Sequence, residues 1–356
     1  MTWLAFTKHI LFAFSLFAFS CVICLIIINR SNIMDVPNIR SSHDTPVPTA
    51  GGIAILTTFI LGMLVIYFVG DKTIIGKKYF LGFLFSSILI AAMSLYDDYK
   101  ERPYYLKLFN QIIAVILVMF VGIVVHEISL PWIGTVNLKG SGYVITFLWI
   151  IGLTNAFNFM DGINGMAGGT AVIAAIFFSI ISFSQGSNFA YIVSYTIISG
   201  TLGFLVFNFP KARLFMGDVG STFLGFSFAS LAIIAALYDL SHTSLFVMPL
   251  LLFHFIYDTL FTFIRRFIRG KNVFEAHRSH LYQLFNQLGY GHTFVSIFYF
   301  TVGISQGFGA WWMVNIVGQQ RVLVFIPYLI FQIIYSVIII HHANKAGLIT
   351  KRKVRK

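Results

Sequence analysis

Charged side chains are scarce in this sequence. They make up 10% of the 356 residues, 12 acidic against 24 basic, whereas 58% of the residues are hydrophobic and 40 are phenylalanine. A soluble domain carries about 25% charged residues. The composition therefore excludes a soluble globular protein and predicts one whose outer surface faces lipid.

Cysteine is almost missing as well. Cys21 and Cys24 are the only two, and they lie in an apolar stretch without a second cysteine pair or a nearby histidine. Their spacing is more typical of helix packing than of a redox or zinc site, and no disulfide framework is expected. The stretch, residues 9–28, also lacks a small-residue cleavage site, so we interpret it as a membrane helix and not as a signal peptide.

Apolar runs long enough to cross a bilayer recur along the chain. They predict an all-α fold, a single polytopic membrane bundle over residues 1–356 with 10 or 11 helices, since Asn155 and Asn158 interrupt the end of the fifth run. The predicted helices span residues 9–28, 50–69, 79–95, 108–125, 143–157, 166–183, 190–209, 222–238, 244–264, 294–314 and 322–342.

The distribution of lysine and arginine selects an orientation. With the N-terminus outside and the C-terminus cytoplasmic, 18 of the 24 basic residues fall in cytoplasmic segments and 6 outside, as the positive-inside rule requires. These loops and the C-terminal KRKVRK, facing anionic lipid, explain the net charge of +12. No nucleic-acid partner is predicted.

Unusual polar residues cluster on the predicted cytoplasmic face, in loops 29–49, 96–107, 158–165, 210–221 and 265–293. A transporter more often carries such groups near the bilayer midplane, so this clustering favours a reaction at the membrane surface. Asp258 is the exception, because it lies about 10 Å inside the ninth run, measured from Arg265. An interhelical contact, or a role in the site, would explain it.

Adjacent carboxylates stand at the end of the third run. Asp97 and Asp98 repel each other, and this favours a bound cation or a shared proton. A solvated helix end before Lys100 is the alternative. Lys107 and Gln111, four residues apart, share a face of the next helix, where the lysine either meets a phosphate or marks the positive side.

Two glycine-containing segments combine poor helix propensity with polar groups. Asn155–Gly165 places three asparagines and Asp161 at a helix end, although a capped turn would need one asparagine. Gly217–Ser221 carries Asp218 and opens a helix, whose free amides favour negative charge. Taken alone, the G-D-x-G-S string is also a common turn.

The longest cytoplasmic loop carries two histidines three residues apart. His277 and His280 could ligate a metal, but Glu275 is the only acidic residue beside them, which argues against zinc. Together with Arg278 they fit better as hydrogen-bond donors to a pyrophosphate or a sugar.

In this order, the segments resemble the polyprenyl-phosphate N-acetylhexosamine-1-phosphate transferases, the superfamily that includes the phospho-MurNAc-pentapeptide translocases. The resemblance covers Asp35 to Gln283. It rests on D-x-P-x-x-R-x-x-H from Asp35 to His43, P-T-x-G-G from Pro48 to Gly52, the aspartate pair, N-x-x-D-G-x-x-G from Asn158 to Gly165, G-D-x-G-S from Gly217 to Ser221, and H-R-x-H-L-Y-Q from His277 to Gln283.

The resemblance implies a reaction and a site. A sugar 1-phosphate would pass from a UDP-sugar to undecaprenyl phosphate at the cytoplasmic face of the bacterial inner membrane, releasing UMP, with Mg²⁺ or alternatively Mn²⁺ as cofactor. The implied catalytic residues are Asp97, Asp98 and Asp161, the metal ligands Asp218 and Asp98, and the substrate-binding residues Arg40, His43, Lys107, Asn158, Asn164, His277, Arg278 and His280.

The late loop departs from the translocases, which carry three consecutive histidines where this chain has His280-Leu-Tyr-Gln. The departure argues against the peptidoglycan pentapeptide substrate and resembles the branch that starts O-antigen or other surface polysaccharides. The sugar, the isoprenoid length, the oligomeric state, a homodimer included, and the choice between direct attack and a phosphorylated aspartate stay open. A lipid or solute transporter is the rival hypothesis, and a prenyltransferase would need a second aspartate motif.

Overall fold

The computed structural model describes residues 3–31, 33–37, 45–69, 76–100, 103–187, 189–239, 241–273, 275, 277–316 and 318–349. Its helices are α1 Trp3–Arg30, α2 Gly52–Val69, α3 Lys77–Lys100, α4 Tyr104–Phe120, α5 Ser141–Phe159, α6 Met166–Ser184, α7 Phe189–Asn208, α8 Gly217–Leu237, α9 Val247–Leu251, α10 Phe253–Ile268, α11 Leu281–Gln287, α12 His292–Asn315 and α13 Phe325–Lys345, with a 3₁₀ helix at Gln319–Val324. The predicted all-α architecture is confirmed.

Seven helices among the described residues are long and apolar enough to cross a membrane, namely α1, α3, α5, α6, α7, α8 and, extended by its 3₁₀ turn, α13. Helices α2 and α4 are apolar but shorter. Many large apolar side chains on the outer helices are exposed, for example Phe14, Phe85 and Phe308. Such a surface suits lipid, and the chain is a multi-pass membrane protein.

Each of the eleven predicted runs contains a helix, with three differences. The ninth run is broken at Leu252. Helix α9 packs against α6, α8 and α12, whereas α10 packs against α5, α11, α12 and α13, so the two parts share α12 and differ in their other neighbours. The short helix α11 was not predicted, and the fifth helix continues to Phe159, so Asn155 and Asn158 lie in its last turns.

Helix α8 is the centre of the bundle, since its spanning window is completely buried. It packs against α2, α3 and α5, and small residues permit the close approach. A β-carbon on Gly225 would lie 2.8 Å from the carbonyl oxygen of Leu153, and one on Gly52 would lie 2.2 Å from the amide nitrogen of Gly220. Glycine is therefore required where α8 crosses α5 and α2.

Two small antiparallel sheets were not predicted. Strands β1 (Met34–Asp35) and β2 (Val47–Pro48) pair in the segment between α1 and α2, and β3 (Glu127–Leu130) and β4 (Gly134–Asn137) form a hairpin between α4 and α5. The hairpin lies at the end of α4 that is opposite to Lys107.

Backbone hydrogen bonds join the loops at the Lys107 end. The amide of Phe215 donates to the carbonyl of Pro48, while the amides of Gly51 and Gly52 donate to the carbonyls of Phe215 and Met216. The segment before α2 therefore holds the segment before α8, which presents Gly217 and Asp218 to the neighbouring helices.

Candidate active site

Asp218, in the first turn of α8, is the residue on which the site converges. One carboxylate oxygen forms an ion pair with the ammonium group of Lys107 from α4. The other accepts a hydrogen bond of 2.8 Å from the side-chain amide of Asn158, which also donates to the hydroxyl of Ser221 at 3.0 Å. Residues from α4, α5 and α8 thus meet at one carboxylate.

Asp98 approaches the same helix end from α3. Its Oδ2 accepts a hydrogen bond of 3.3 Å from the amide of Val219, so the carboxylate caps the N-terminus of α8. The turn requires Gly217, whose φ of +73° lies in the left-handed region. A β-carbon there would lie 2.9 Å from Oδ2 of Asp98.

Asp97 points into the protein and is 1% exposed. Asn110 of α4 donates to its Oδ2 at 3.0 Å, whereas its buried Oδ1 has no hydrogen-bond partner among the described residues. A buried carboxylate oxygen without a donor is costly, so this atom is suited to a cation or a proton.

Asp161 lies in the turn between α5 and α6 and is half-buried. Burial, followed by the negative charges of Asp218 and Asp98, raises the pKa of its carboxyl group well above the usual value. The carboxylates of Asp161, Asp218 and Asp98 therefore interact electrostatically across the site. A cation bound there would lower the pKa of Asp161 again.

The charges do not balance, since Lys107 is near three carboxylates, those of Asp218, Asp98 and Asp97. Carboxylate oxygens are the ligands that Mg²⁺ prefers, and the unpartnered Oδ1 of Asp97 fits a hard cation. No group of three or more His, Cys, Asp or Glu side chains in the described ranges is arranged around a common metal position. The Lys107 ammonium group explains this, because it already neutralises Asp218.

A second polar group lies beside the late loop. Nδ1 of His280 is 3.2 Å from Oδ1 of Asp258, and the imidazole lies near the rings of His277 and Phe159, whose centroids are 5.0 and 5.9 Å away. Burial, followed by the neighbouring His280 and the positive charges of Arg266 and Arg265, lowers the pKa of His277 to about 3. His277 is therefore neutral at physiological pH.

Tyr282 connects this group to the turn that carries Asp161. Its hydroxyl donates to the carbonyl of Phe159 at 2.9 Å. A β-carbon on Gly162 would lie 2.1 Å from the hydroxyl oxygen of Tyr282. The late loop and the aspartate cluster are thus in contact through the C-terminal end of α5.

The remaining predicted residues have different positions. Asn164 donates to the carbonyl of Pro210 at 3.2 Å, a contact between two loops and not with Asp218. Arg278 lies in the late loop, where its carbonyl accepts a hydrogen bond from Gln287. Arg40 and His43 lie outside the described residues.

Sequence reasoning missed one residue, Asn110, and one contact, that between Gln111 and Asn155. Asn110 supports Asp97, and its signal was its position three residues after Lys107, on the same helix face. Gln111 had been noted, but its contact had not: its Oε1 accepts a hydrogen bond of 2.7 Å from the Asn155 amide.

The fold and the site together define a polytopic helical membrane protein with an acidic polar site at one end of its helices. Residues 80–236 match the family model described as glycosyl transferase family 4. The chain is 30% identical over 285 residues to the undecaprenyl-phosphate alpha-N-acetylglucosaminyl 1-phosphate transferase of Thermotoga maritima, covering 78% of this chain and 84% of the relative. The chain belongs to glycosyl transferase family 4.

Two further relatives match over similar lengths. A probable undecaprenyl-phosphate N-acetylglucosaminyl 1-phosphate transferase of Bacillus subtilis is 28% identical over 271 residues, 76% of this chain and 74% of the relative. A decaprenyl-phosphate N-acetylglucosaminephosphotransferase of Mycobacterium leprae is 29% identical over 317 residues, 80% of this chain and 78% of the relative.

Proposed function

We propose that this protein transfers an N-acetylhexosamine 1-phosphate from a UDP-sugar to a polyprenyl phosphate such as undecaprenyl phosphate, releasing UMP. The observation that carries the proposal is the convergence of Asp97, Asp98, Lys107, Asn158 and Asp218 at one end of the bundle. The names of the relatives support the reaction class and make UDP-N-acetylglucosamine the first donor to test.

Both reactants are anionic, so their encounter requires charge neutralisation. Asp218 and Asp98 would hold Mg²⁺, which when bound would neutralise phosphate charge. Lys107 would contact a phosphate, and Asn158 would orient Asp218 and the nucleotide. His277, being neutral, and His280, whose Nδ1 faces Asp258, suit sugar hydroxyls, whereas Arg278 suits the pyrophosphate.

In the reaction that we propose, an oxygen of the polyprenyl phosphate attacks the β-phosphorus of the UDP-sugar. The bond from that phosphorus to the bridging oxygen breaks, and UMP leaves. Asp97 takes the proton of the acceptor phosphate when that phosphate is a monoanion. A phosphorylated aspartate, trapped from UDP-sugar without lipid, would replace this direct route by a double displacement.

The orientation belongs to the same proposal. The basic-residue distribution supports a cytoplasmic site in the bacterial inner membrane, and the exposed tyrosines Tyr96, Tyr99, Tyr104 and Tyr105 at the site end of α3 and α4 suit a membrane–water interface. The product would start a surface polysaccharide. The transporter hypothesis loses its main support, because the buried Asp258 is engaged by the late loop.

The test is UMP release by the purified protein with undecaprenyl phosphate, Mg²⁺ and a panel of UDP-sugars. We expect Asp218→Asn and Asp97→Asn to lower kcat by at least about 100-fold, the usual scale for a group acting on transition-state charge. Asp239→Asn is the matched control, because this buried aspartate lies beyond the far end of α8. Undiminished activity in both site variants would reject the assignment.

A further inference from the structure

Asp258 is a buried carboxylate with an unusually complete set of hydrogen-bond donors. The residue is 1% exposed. Oδ1 accepts from the Thr262 hydroxyl at 3.1 Å, the His280 ring at 3.2 Å and the Leu281 amide at 2.9 Å. Oδ2 accepts from the Tyr282 amide at 3.2 Å and from the Tyr299 hydroxyl at 3.3 Å.

Capping alone does not account for this arrangement. A helix N-terminus needs one acceptor oxygen, which a neutral asparagine or serine provides at lower desolvation cost. Asp258 instead uses both oxygens and receives a side-chain ring as well as two backbone amides of α11. The two oxygens of a carboxylate have about four lone-pair sites, so five donors saturate Asp258, whereas a neutral asparagine could accept at one oxygen only.

The ring of His280 is consequently fixed. Because Asp258 accepts the proton on Nδ1, the second nitrogen, Nε2, is the one left for a ligand. Nε2 makes no hydrogen bond within the described part of the chain, and the rings of Phe159 and His277 lie beside the imidazole, with centroids 5.9 and 5.0 Å away. Tyr282, two residues after His280, bonds the carbonyl of Phe159 and so holds the late loop against the turn that carries Asp161.

We propose that Asp258 is a positioning residue for the donor substrate: it fixes the tautomer and direction of His280 so that Nε2, which is left as a hydrogen-bond acceptor, faces a hydroxyl of the sugar. The inference rests on the proposed function, because it needs His280 to contact the UDP-sugar. The structure thereby gives Asp258 a role that the sequence left undecided.

A double-mutant cycle tests the coupling. We expect Asp258→Asn to lower kcat/KM for the UDP-sugar about 10- to 100-fold in the native background, and less than about threefold in the His280→Ala background. Asparagine has a single acceptor oxygen and can also donate to Nδ1, which would leave the ring in the wrong tautomer.

Two measurements separate positioning from general damage. The Mg²⁺ concentration dependence of thermal melting should be unchanged in Asp258→Asn, because the donors to Asp258 within the described ranges come from Thr262, His280, Leu281, Tyr282 and Tyr299 and not from the aspartate cluster. A distorted fold would alter this dependence. Tyr299→Phe removes one hydrogen bond to Oδ2 without touching His280, and we expect it to retain kcat/KM within about threefold.

Equal losses for Asp258→Asn in both backgrounds would overturn the proposal, as would a shifted Mg²⁺ dependence. If Asp258→Asn does not accumulate as folded protein, Asp258→Glu replaces it in the same cycle, since glutamate keeps the charge and displaces both oxygens by one methylene. Failure of the proposed function gives a different result, because the native protein would then release no UMP from any donor.

Discussion

Removing Lys107 should make the site bind a divalent cation more tightly, although it should abolish most of the activity. The ammonium group of Lys107 neutralises Asp218, the carboxylate proposed as the main cation ligand. A lysine and a cation therefore compete for the same oxygen. Lys107→Met removes the competitor, and with it the positive charge near Asp218, Asp98 and Asp97.

The size of the effect follows from Coulomb's law. A +1 and a +2 charge about 5 Å apart repel by roughly 1.7 kcal/mol in a water-like dielectric. The side chains of Lys107 and Asp218 are 33% and 28% exposed, so this screened value is more appropriate than one for a dry interior. Since about 1.4 kcal/mol is a factor of ten in affinity, we expect roughly tenfold tighter Mg²⁺ binding.

The assay is the thermal melting of detergent-solubilised protein at increasing Mg²⁺ concentration. The midpoint of the stabilisation should fall roughly tenfold in Lys107→Met. Lys107→Arg keeps the charge and should stay near the native midpoint. Lys100→Met is the second control, because Lys100 lies at the same end of the bundle but contacts the ring of Tyr99.

The activity of Lys107→Met should change in the opposite direction to its Mg²⁺ affinity. If Lys107 contacts a phosphate, Lys107→Met should lower kcat while the cation binds more tightly. An unchanged or weaker Mg²⁺ midpoint in Lys107→Met would refute the competition, and with it the explanation of why the aspartates do not surround a common metal position.

Three further outcomes are expected. Gly52→Ala should lower the melting temperature by an overpacking cost of about 1–3 kcal/mol, because its β-carbon would meet the backbone of Gly220, whereas Gly152→Ala, with nothing within 4 Å, should not. Burial and neighbouring carboxylates raise the pKa of Asp161, so kcat/KM should rise with pH through that pKa. Added Mg²⁺ should move this rise to lower pH. A pH profile of kcat/KM that does not change with Mg²⁺ concentration would contradict the assignment. Tyr282→Phe loses a hydrogen bond worth about 1 kcal/mol and should lower kcat/KM about fivefold without unfolding, which melting can check.

Apolar run length was sufficient to predict the helices, because bilayer thickness and backbone hydrogen bonding leave little choice for an apolar segment of about 20 residues. It could not predict the break at Leu252. That break depends on which helices α9 and α10 contact, and hydropathy carries no information about neighbours. The short helix α11 was missed for a different reason, since its seven residues are too few to give a periodic signal.

For the site, residue type was more informative than position. The segments with Asp98, Lys107, Asn158 and Asp218 were predicted to share one face. In the structure, the side chains of Lys107 and Asn158 contact that of Asp218, and Asp98 bonds the backbone of the next residue, Val219. The pairing itself could not be predicted, because Lys107 and Asp218 are 111 residues apart in sequence. Asn164 shows that a residue of a motif need not contact the site, since its side chain instead bonds the carbonyl of Pro210 in a neighbouring loop.

The two buried aspartates illustrate how solvation separates the roles of identical side chains. Asp258 accepts five hydrogen bonds, so its charge is balanced inside the protein and it has no capacity for a ligand. Asp97 is equally buried but accepts one, and its Oδ1 has no partner in the described chain. Because an unpartnered buried oxygen costs free energy, its persistence is best explained by a ligand that supplies the missing positive charge or proton, whereas Asp258 needs none.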